Sequence, residues 1–332
     1  MKLPKVSIII VNYNGKQLLQ KCLESLFKID YDNFEVILVD NNSSDDTIEF
    51  VTKTFPSVII IKLDSNKGFA EPNNIAAKIS KGEYLLFLNN DTIVTKNFVI
   101  EMIKEIESDE KIAICQSLLL KPNGNIDSSG DFIDELGVVY NSKSKINNTR
   151  YISSARGASM LIRKDVFEKL GGFDSKFFAT FEDVDLCWRS WIAGFKSIIA
   201  SESIVYHVGG QTTKKINDEI AFHGFKNQIV MKITNFELEL AIKNLILFFI
   251  LYGSRELKIW FDYSLKGTTK ITPTIYDESI AQKPNFRIIL KSLIWTLIHP
   301  KYVWSKHRRV NTSRKFSTKV LKQKNILSNS LK

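Results

Sequence analysis

The N-terminal part of the chain alternates between short apolar runs and segments with helical spacing. Residues 6–11 form a run rich in β-branched side chains, as buried parallel strands do, and residues 35–39 and 58–61 repeat this composition. Between the first two runs, apolar residues recur at helical spacing from Leu18 to Leu26. Tyr84–Leu88 completes a series in which strands alternate with helices. This order predicts βαβ units and an α/β fold with a mainly parallel, Rossmann-like sheet.

Polar clusters follow three of these strands. They are Asn12-Tyr13-Asn14, Asp40-Asn41-Asn42 and Asn89-Asn90-Asp91. In open α/β sheets, ligands bind beyond the carboxyl ends of the strands. One polar strand end could be an ordinary turn, but three on one edge indicate a binding site.

The second half of the sequence is less regular. Residues 123–148 are rich in Asn, Ser, Gly and Asp, which predicts a loop with hairpin-like pieces. Residues 157–162 predict a strand, and residues 164–170 predict a short helix that ends at Gly171-Gly172. A further helix is predicted from Asp183 to Ala193.

The character of the sequence changes near Phe236. Two apolar segments, Leu245–Tyr252 and Ile288–Val303, are too short or too interrupted for the roughly 20 apolar residues of a spanning helix. Aromatic and basic residues in the second segment suit a helix lying in a membrane interface, and a helical appendage packed on the main domain fits equally well. We predict two domains: 1–235 with the α/β fold, and 236–332 as a helical, basic C-terminal extension.

The net charge of +10 belongs to the C-terminal end. Residues 279–332 contain 13 Lys or Arg and no Asp or Glu, which leaves 33 basic and 36 acidic residues elsewhere. A solvated tail, a surface for anionic lipid and a surface for nucleic acid are the three interpretations. We predict an anionic membrane surface as the partner of this tail, and no nucleic acid.

The cysteines bear on the compartment. Cys22, Cys115 and Cys187 show no CxxC spacing and suggest neither a disulfide framework nor a zinc site. A reducing compartment fits them best. Residues 1–5 lead directly into the first strand and lack the long apolar region of a signal peptide. The predicted location is cytoplasmic.

The densest group of carboxylates is Glu182, Asp183 and Asp185, at the start of a predicted helix. Acids favour the first turn of a helix through its dipole, so a structural role is one interpretation. A base that takes a proton from a hydroxyl is the other, and we predict Asp183 for it. Glu182 or Asp185 would hold local structure or an acceptor. Arg189 follows Asp185 by four residues and could pair with it.

Asp91, Asp40 and His207 are further candidates. A strand-end carboxylate such as Asp91 can bind a hard divalent cation, although such residues often cap helices instead. Asp40 could accept hydrogen bonds from a nucleoside, with the same structural alternative. His207 precedes Gly209-Gly210, where the backbone could approach a phosphate, and a neutral imidazole can ligate a metal. A structural histidine is the alternative.

Several segments carry a family resemblance together. In order, they are VSIIIVNYN at 6–14, VDNNS at 39–43, NKGFA at 66–70, LNNDT at 88–92, GGFD at 171–174, FEDVD at 181–185 and YH at 206–207. With these segments the sequence resembles inverting family 2 glycosyltransferases with the GT-A fold, particularly the rhamnosyltransferase-like branch. The resemblance runs from Val6 to Gln228.

The resemblance implies a role for each matching position. It implies that the nucleotide sugar is bound by Val11, Tyr13, Asp40, Asn66, Gly68, Asn73 and Asn90. It implies an acceptor side formed by Arg156 and Gly157, which Glu182 and Asp185 would join. Asp183 would be the general base, and Asp91 and His207 would hold a divalent metal, Mg²⁺ or Mn²⁺. The matching metal motif, Asn89-Asn90-Asp91, has a single carboxylate.

The implied activity is inverting transfer of a sugar from a nucleotide-diphosphate donor to a hydroxyl of a glycan or lipid-linked acceptor. This would serve cell-surface polysaccharide biosynthesis, by a peripheral protein on the inner face of the cell membrane. The branch favours dTDP-rhamnose as donor, while UDP- and GDP-linked sugars stay open.

Other classes fit less well. A nucleotide-binding oxidoreductase needs a GxGxxG turn after the first strand, where this chain has Asn12-Tyr13-Asn14-Gly15. A sugar nucleotidyltransferase would carry a glycine-rich, basic phosphate loop near the N-terminus. A non-catalytic sugar- or lipid-binding module on the same fold is the remaining alternative.

Overall fold

The computed structural model describes residues 3–134, 137–209, 218–266, 286–324 and 326–328. The chain divides into two compact units, a first unit of residues 1–131 and 142–215 and a second unit of residues 132–141 and 216–332. The boundary that the sequence suggests after residue 235 stays a prediction.

The described strands fall into two sheets. In chain order they are β1 (Val6–Asn12), β2 (Phe34–Asp40), β3 (Ile59–Lys62), β4 (Tyr84–Leu88), β5 (Thr92–Val94), β6 (Ile112–Leu120), β7 (Ile126–Ser128), β8 (Asp131–Asp134), β9 (Val139–Asn141), β10 (Arg150–Tyr151), β11 (Ser159–Arg163), β12 (Lys196–His207) and β13 (Leu327–Ser328). The large sheet has the order β10-β12-β6-β11-β4-β1-β2-β3, with β5 beside β12 and β7 beside β6. The small sheet has the order β13-β8-β9.

Parallel pairing dominates the large sheet. β1 pairs in parallel with β2 and β4, and β2 pairs in parallel with β3. β6 and β12 form another parallel pair, while β11 lies antiparallel between β4 and β6. The predicted α/β fold with a mainly parallel sheet is confirmed. Because β1, β2 and β4 are parallel, the three polar clusters that follow them lie at one edge of the sheet.

Six helices are described in the first unit. They are α1 (Lys16–Leu26), α2 (Thr47–Thr54), α3 (Ala70–Ile79), α4 (Phe98–Ile106), α5 (Lys164–Leu170) and α6 (Glu182–Ile192). The periodic apolar residues of α1, including Leu19 and Leu23, are buried in the core cluster that also contains residues of β1 and β2. α5 ends as predicted, because Gly171 adopts a left-handed φ of 81° that a side chain would disfavour.

The second unit is largely helical in its described part. Its helices are α7 (Asp218–Asn235), α8 (Leu238–Lys266), α9 (Phe286–Ile298), α10 (Pro300–Ser313) and α11 (Thr318–Gln323). The predicted apolar segment 288–303 is divided at His299, where Pro300 begins a new helix that needs no N–H at its first position. None of the described helices is both long enough and apolar enough to cross a membrane.

All three cysteines are free and buried. Burial raises the pKa of the Cys22 and Cys187 thiols to about 12, and it raises the pKa of Cys115 as well. Their side chains serve as small apolar groups of the core.

Candidate active site

Amide side chains join the ends of β1 and β4. Asn90 Nδ2 donates to Asn12 Oδ1 at 2.6 Å, and Asn12 Nδ2 lies 3.4 Å from the Ser43 hydroxyl and 3.3 Å from the Thr47 hydroxyl. Gly15 lies against this pair, since a Cβ there would come within 2.5 Å of Asn90 Nδ2. Asn90, predicted to bind the donor, is therefore held at the carboxyl edge of the sheet.

Asp40 is the last residue of β2, and only one of its two carboxylate oxygens accepts a hydrogen bond from the described residues. Its Oδ2 accepts the backbone N–H of Ser43 at 3.1 Å, while its buried Oδ1 has no hydrogen-bond partner among the described residues. An unsatisfied buried acceptor costs about 1–3 kcal/mol until a donor reaches it. Tyr13 stands one residue beyond the Asn12–Asp40 pair and is 51% exposed. This edge thus offers a nucleoside an acceptor oxygen and an aromatic face, next to the partly exposed Val11.

The loop after β3 is fixed by Asn41. Its Nδ2 donates to Asn66 Oδ1 at 2.9 Å and to the Gly68 carbonyl at 2.7 Å, and its Oδ1 accepts the Lys67 N–H at 2.8 Å. Gly68 has a φ of 77°, and a Cβ there would collide with the Phe178 carbonyl, so the position requires glycine. Asn41 was not assigned a role from the sequence, although it stands in one of the polar clusters.

The first turn of α3 is attached to the segment before α6. The Phe69 N–H donates to the Phe178 carbonyl at 2.6 Å. Asn73 is buried, and its Nδ2 donates to the Phe69 carbonyl at 2.8 Å. The side chain of Asn73 therefore stabilises this turn, and its predicted contact with the donor stays a prediction.

His207 lies between two carboxylates. Its Nδ1 is 2.9 Å from Asp127 Oδ2, and its Nε2 is 3.4 Å from Asp91 Oδ1. The pairing of β5 with β12 and a 3.0 Å hydrogen bond from the Val208 N–H to the Asp91 carbonyl bring the two predicted metal ligands together. Burial alone would lower the pKa of His207, but its hydrogen bonds to Asp127 and Asp91 raise it to about 9.

The donor atoms of Asp91 and His207 suit a divalent metal. With a separation of 3.4 Å, Asp91 Oδ1 and His207 Nε2 would both be able to bind one divalent cation. Asp127 would orient the imidazole through the other ring nitrogen, as carboxylates commonly do for metal-bound histidine. Within the described ranges there is no cluster of three or more His, Cys, Asp or Glu arranged for a metal. Diphosphate oxygens and water would therefore have to complete the coordination.

Asp183 stands in the first turn of α6 and accepts two backbone hydrogen bonds. The Gly157 N–H donates to Oδ2 at 3.0 Å and the Val184 N–H to Oδ1 at 2.8 Å. Burial raises the pKa of the Asp183 carboxyl above its ordinary 3.8, although these N–H groups lower it in part. A carboxylate that is fixed in place and has a raised pKa is well suited to accept a proton.

Gly157 and Ala158 connect Asp183 with the segment that carries Asp91. A Cβ at Gly157 would lie 2.9 Å from the Phe69 ring. The loop that contains Asn66 and Gly68 therefore also leads to Gly157. The Asn89 N–H donates to the Ala158 carbonyl at 3.1 Å, two residues before Asp91. Residues from three of the sequence motifs, NKGFA, LNNDT and FEDVD, thus meet around the segment Gly157-Ala158.

The other two acids of α6 have different surroundings. Asp185 is fully buried and pairs with Arg189 Nε at 2.9 Å, as the four-residue spacing predicts. Arg189 also donates to two carbonyls at the end of α5, at 2.8 Å each. Glu182 is buried, and its Oε2 has no hydrogen-bond partner in the described part of the chain. Burial, with the neighbouring charge of Asp183, raises the pKa of Glu182 well above 4.5. The acceptor-side roles of Glu182 and Asp185 stay predictions.

Arg156 forms an ion pair beside Gly157. Its Nε lies 3.1 and 3.2 Å from the two carboxylate oxygens of Asp131, and its backbone N–H donates to Gln116 Oε1 at 2.7 Å. Burial raises the pKa of Asp131 to about 6, while the guanidinium opposes this rise. The ion pair fixes the Arg156 guanidinium, whose predicted contact with the acceptor stays a prediction.

The chain turns sharply before α6. Thr180 and Phe181 both adopt left-handed φ angles, 68° and 65°. Such conformations cost non-glycine residues on the order of 1–3 kcal/mol each, and they are concentrated at functional sites. The turn sets the start of α6 and with it the position of Asp183.

Comparison with known proteins finds a matching family model. Residues 7–171 match the family model described as Glycosyl transferase family 2. The O-antigen biosynthesis protein RfbC of Myxococcus xanthus is 30% identical over 220 residues, which cover 61% of this chain and 17% of that protein. The UDP-Glc:α-D-GlcNAc-diphosphoundecaprenol β-1,3-glucosyltransferase WfaP of Escherichia coli is 37% identical over 106 residues, covering 32% of this chain and 42% of that enzyme. The chain thus spans less than half the length of either relative.

A solved structure has the same fold. The mannosyltransferase PcManGT from Pyrobaculum calidifontis, in complex with GDP-Man and Mn²⁺, matches with a TM-score of 0.54 at 14% identity, over 93% of this chain and 86% of that one. At this identity the likeness establishes the GT-A fold and nothing finer. The family model over residues 7–171 and this fold together support a family 2 glycosyltransferase.

Proposed function

We propose that the chain is a metal-assisted glycosyltransferase that moves a sugar from a nucleotide-diphosphate donor to an acceptor hydroxyl, with inversion. The observation that carries this proposal is the frame around Gly157 and Ala158. Asp183 accepts the Gly157 N–H, while Ala158 accepts the N–H of Asn89, two residues before Asp91. The proposed base and the segment that carries Asp91 are thereby both hydrogen-bonded to the short segment Gly157-Ala158.

Donor binding is assigned to the carboxyl edge of the sheet. Asp40 Oδ1 would accept a hydrogen bond from a base N–H or a ribose hydroxyl, which would satisfy its buried oxygen. The Tyr13 ring would lie against the base. The loop that Asn41 holds, with Asn66 and Gly68, would border the sugar diphosphate. Mg²⁺ or Mn²⁺ on Asp91 and His207 would supply positive charge against the departing diphosphate.

Asp183 would act as the base in a single displacement. Its carboxylate takes the proton of the acceptor hydroxyl while the oxygen attacks the anomeric carbon from the face opposite the diphosphate. The new carbon–oxygen bond forms as the bond to the phosphate oxygen breaks, so the nucleoside diphosphate leaves with the electron pair and the configuration inverts. Two N–H groups orient the carboxylate, which keeps the reacting atoms aligned.

The donor and acceptor are proposed by chemical class. dTDP-rhamnose is the first candidate, from the branch that the sequence resembles. UDP-glucose is the second, because the E. coli relative is named for UDP-Glc. The names of the relatives, O-antigen biosynthesis and a diphosphoundecaprenol-linked sugar, support a glycan or lipid-linked acceptor in cell-surface polysaccharide biosynthesis. Such a reaction would take place in the cytoplasm.

A donor screen tests the proposal. The full chain is incubated with dTDP-rhamnose, UDP-glucose or GDP-mannose, in Mn²⁺, Mg²⁺ or excess EDTA, and donor binding and slow hydrolysis are measured. We expect binding and nucleoside-diphosphate release with one donor in the presence of metal. Asp91→Ala should weaken both. Full activity in EDTA would remove the metal from the mechanism. Binding without turnover, in the presence of candidate acceptors as well, would favour a non-catalytic module.

A further inference from the structure

The helices of the second unit expose two apolar stripes. The stripe of α8 consists of Leu238, Ile242, Ile246 and Ile250, which are 52–69% exposed. The stripe of α9 consists of Phe286, Leu290, Ile294, Leu297 and Ile298, which are 39–66% exposed. The spacing of three or four residues places the members of each set on one face of their helix. Contiguous apolar patches on a protein surface often mark a site of interaction.

Helix α9 buries some of its polar residues and exposes some of its apolar ones, which is the reverse of the usual amphipathic pattern. Its buried face carries Ile288 and Ile289 but also Ser292 and Thr296, while Ile294 on the other face is 47% exposed. The Ser292 hydroxyl lies 3.1 Å from a carbonyl of α7, so the polar positions do face the packed side. A surface helix in water normally turns its polar side chains outward. The outer face of α9 is therefore suited to an apolar environment.

Basic residues and a tryptophan accompany the α9 stripe. The exposed cations on α9 and α10 are Arg287, Lys291, Lys301, Arg308 and Arg309. Trp304, on α10, is 68% exposed and of a type that favours the headgroup level of a bilayer. Residues 279–332 contain no Asp or Glu, and the acids beside Arg287 and Lys291 are Asp218 and Glu219 at the start of α7. With 13 residues, α9 is about 20 Å long, which lets it lie along a bilayer but not cross it.

We propose that the apolar stripe of α9 docks the protein onto an anionic lipid surface, with α9 lying in the plane of the headgroups. The positive charge beside the stripe favours an anionic lipid surface as its partner over a second copy of the chain. Asp218 and Glu219 of α7 line the same cavity as Arg287 and Lys291, but the five exposed cations of α9 and α10 outnumber these two acids. Two copies meeting through the α9 stripe would therefore bring two net positive surfaces together. An anionic bilayer supplies both counter-charge and apolar chains. This surface lies outside the residues assigned to catalysis, so the proposal does not depend on the proposed reaction.

Ile294→Glu tests the apolar part of the surface. Ile79→Glu on α3 is the matched control, because Ile79 is 48% exposed and Ile294 is 47% exposed. The full chain is sedimented at low salt with vesicles of phosphatidylcholine alone or mixed with phosphatidylglycerol. We expect the native chain and I79E to bind the mixed vesicles, and I294E to bind at least about tenfold more weakly.

Arg287→Gln combined with Lys291→Gln tests the charge. This variant should bind anionic vesicles roughly 25-fold more weakly, about fivefold per cation, and with a smaller salt dependence. Failure of the native chain to bind anionic vesicles at low salt would overturn the proposal, as would native-like binding by I294E. A native dimer that I294E dissociates, with no vesicle binding, would assign the stripe to a second copy instead. Nucleotide-sugar binding measured without vesicles reports separately on the first unit.

Discussion

Helices α6 and α9 show opposite relations between polarity and burial. In α6, ten of eleven residues are buried, and the buried set includes Glu182, Asp185 and Arg189. In α9, apolar side chains such as Leu290 and Leu297 are exposed, while Ser292 and Thr296 are buried. The charges of α6 are tolerated because an ion pair and backbone donors compensate part of their desolvation, whereas the apolar face of α9 has no such compensation in water. Polarity therefore predicts the surroundings of a residue only when its partners are known.

Among substitutions in α6 and α9, removing the charge of Asp183 should have the largest effect, and this effect should be on the rate of sugar transfer. Asp183→Asn keeps the shape of the side chain but cannot take the acceptor's proton, so the rate of sugar transfer should fall about 10²–10⁴-fold. Donor binding, followed by calorimetry, should persist. Asp165→Asn, an exposed position in the first turn of α5, is the control and should keep the native rate. Transfer by D183N at nearly the native rate would show that another group is the base.

Breaking the buried ion pair of the same helix should mainly affect stability. Asp185→Asn leaves the Arg189 charge buried without its counter-ion, which should lower the free energy of unfolding by about 3–5 kcal/mol. Trp188 and Trp191 lie in α6, so tryptophan fluorescence in urea can follow the change. Glu168→Gln breaks an exposed pair with Lys164 at 3.9 Å and should cost less than about 1 kcal/mol. Equal effects of the two substitutions would contradict the importance of burial.

The pH dependence of transfer should reveal the environment of Asp183. Burial raises the pKa of this carboxyl above 3.8, and only the deprotonated form accepts a proton. The rate should therefore be low below the raised pKa and should increase as the pH rises through it. The midpoint of this acidic limb should lie above the value of an exposed aspartate, and the limb should disappear in the residual activity of D183N. A midpoint at or below 3.8 would contradict the effect of burial.

The smallest effect is expected on the exposed face of α9. Leu297→Ala should change the free energy of unfolding in solution by less than about 0.5 kcal/mol, because Leu297 is 66% exposed. Ile288→Ala on the buried face should cost about 2–5 kcal/mol. Both variants introduce an alanine into α9, so the two variants have the same helix propensity at the substituted position. A large loss in L297A alone would mean that this face packs within the protein in solution.

The local pattern of apolar and polar residues predicted the bounds of those helices and strands whose packing follows that pattern. β4 and α5 have the predicted bounds, since one is an uninterrupted buried run and the other has a glycine at its end. β11 begins at Ser159, two residues later than predicted. The reason lies outside the local sequence, because the Gly157 N–H donates to Asp183 rather than to a neighbouring strand.

Candidate site residues could be proposed from the sequence where they form local polar clusters, after strands or at the start of a helix. Asp40 and Asp91 were proposed because they follow buried runs, and Asp183 because it stands in a dense group of carboxylates. Asp127 was missed, since it meets His207 across 80 positions of sequence and stands in a segment that reads as a loop. The role of Asn41 depends on where the chain returns after β3, which neither composition nor spacing specifies.

The buried thiols leave the protein open to site-specific labelling. With thiol pKa values near 12 for Cys22 and Cys187, the thiolate that reacts with maleimides is present at roughly one part in 10⁵ at neutral pH. Burial blocks access to all three cysteines as well. A cysteine introduced in place of Trp304 should therefore react selectively without removing any native one, and a polarity-sensitive dye attached there would report directly what surrounds this face.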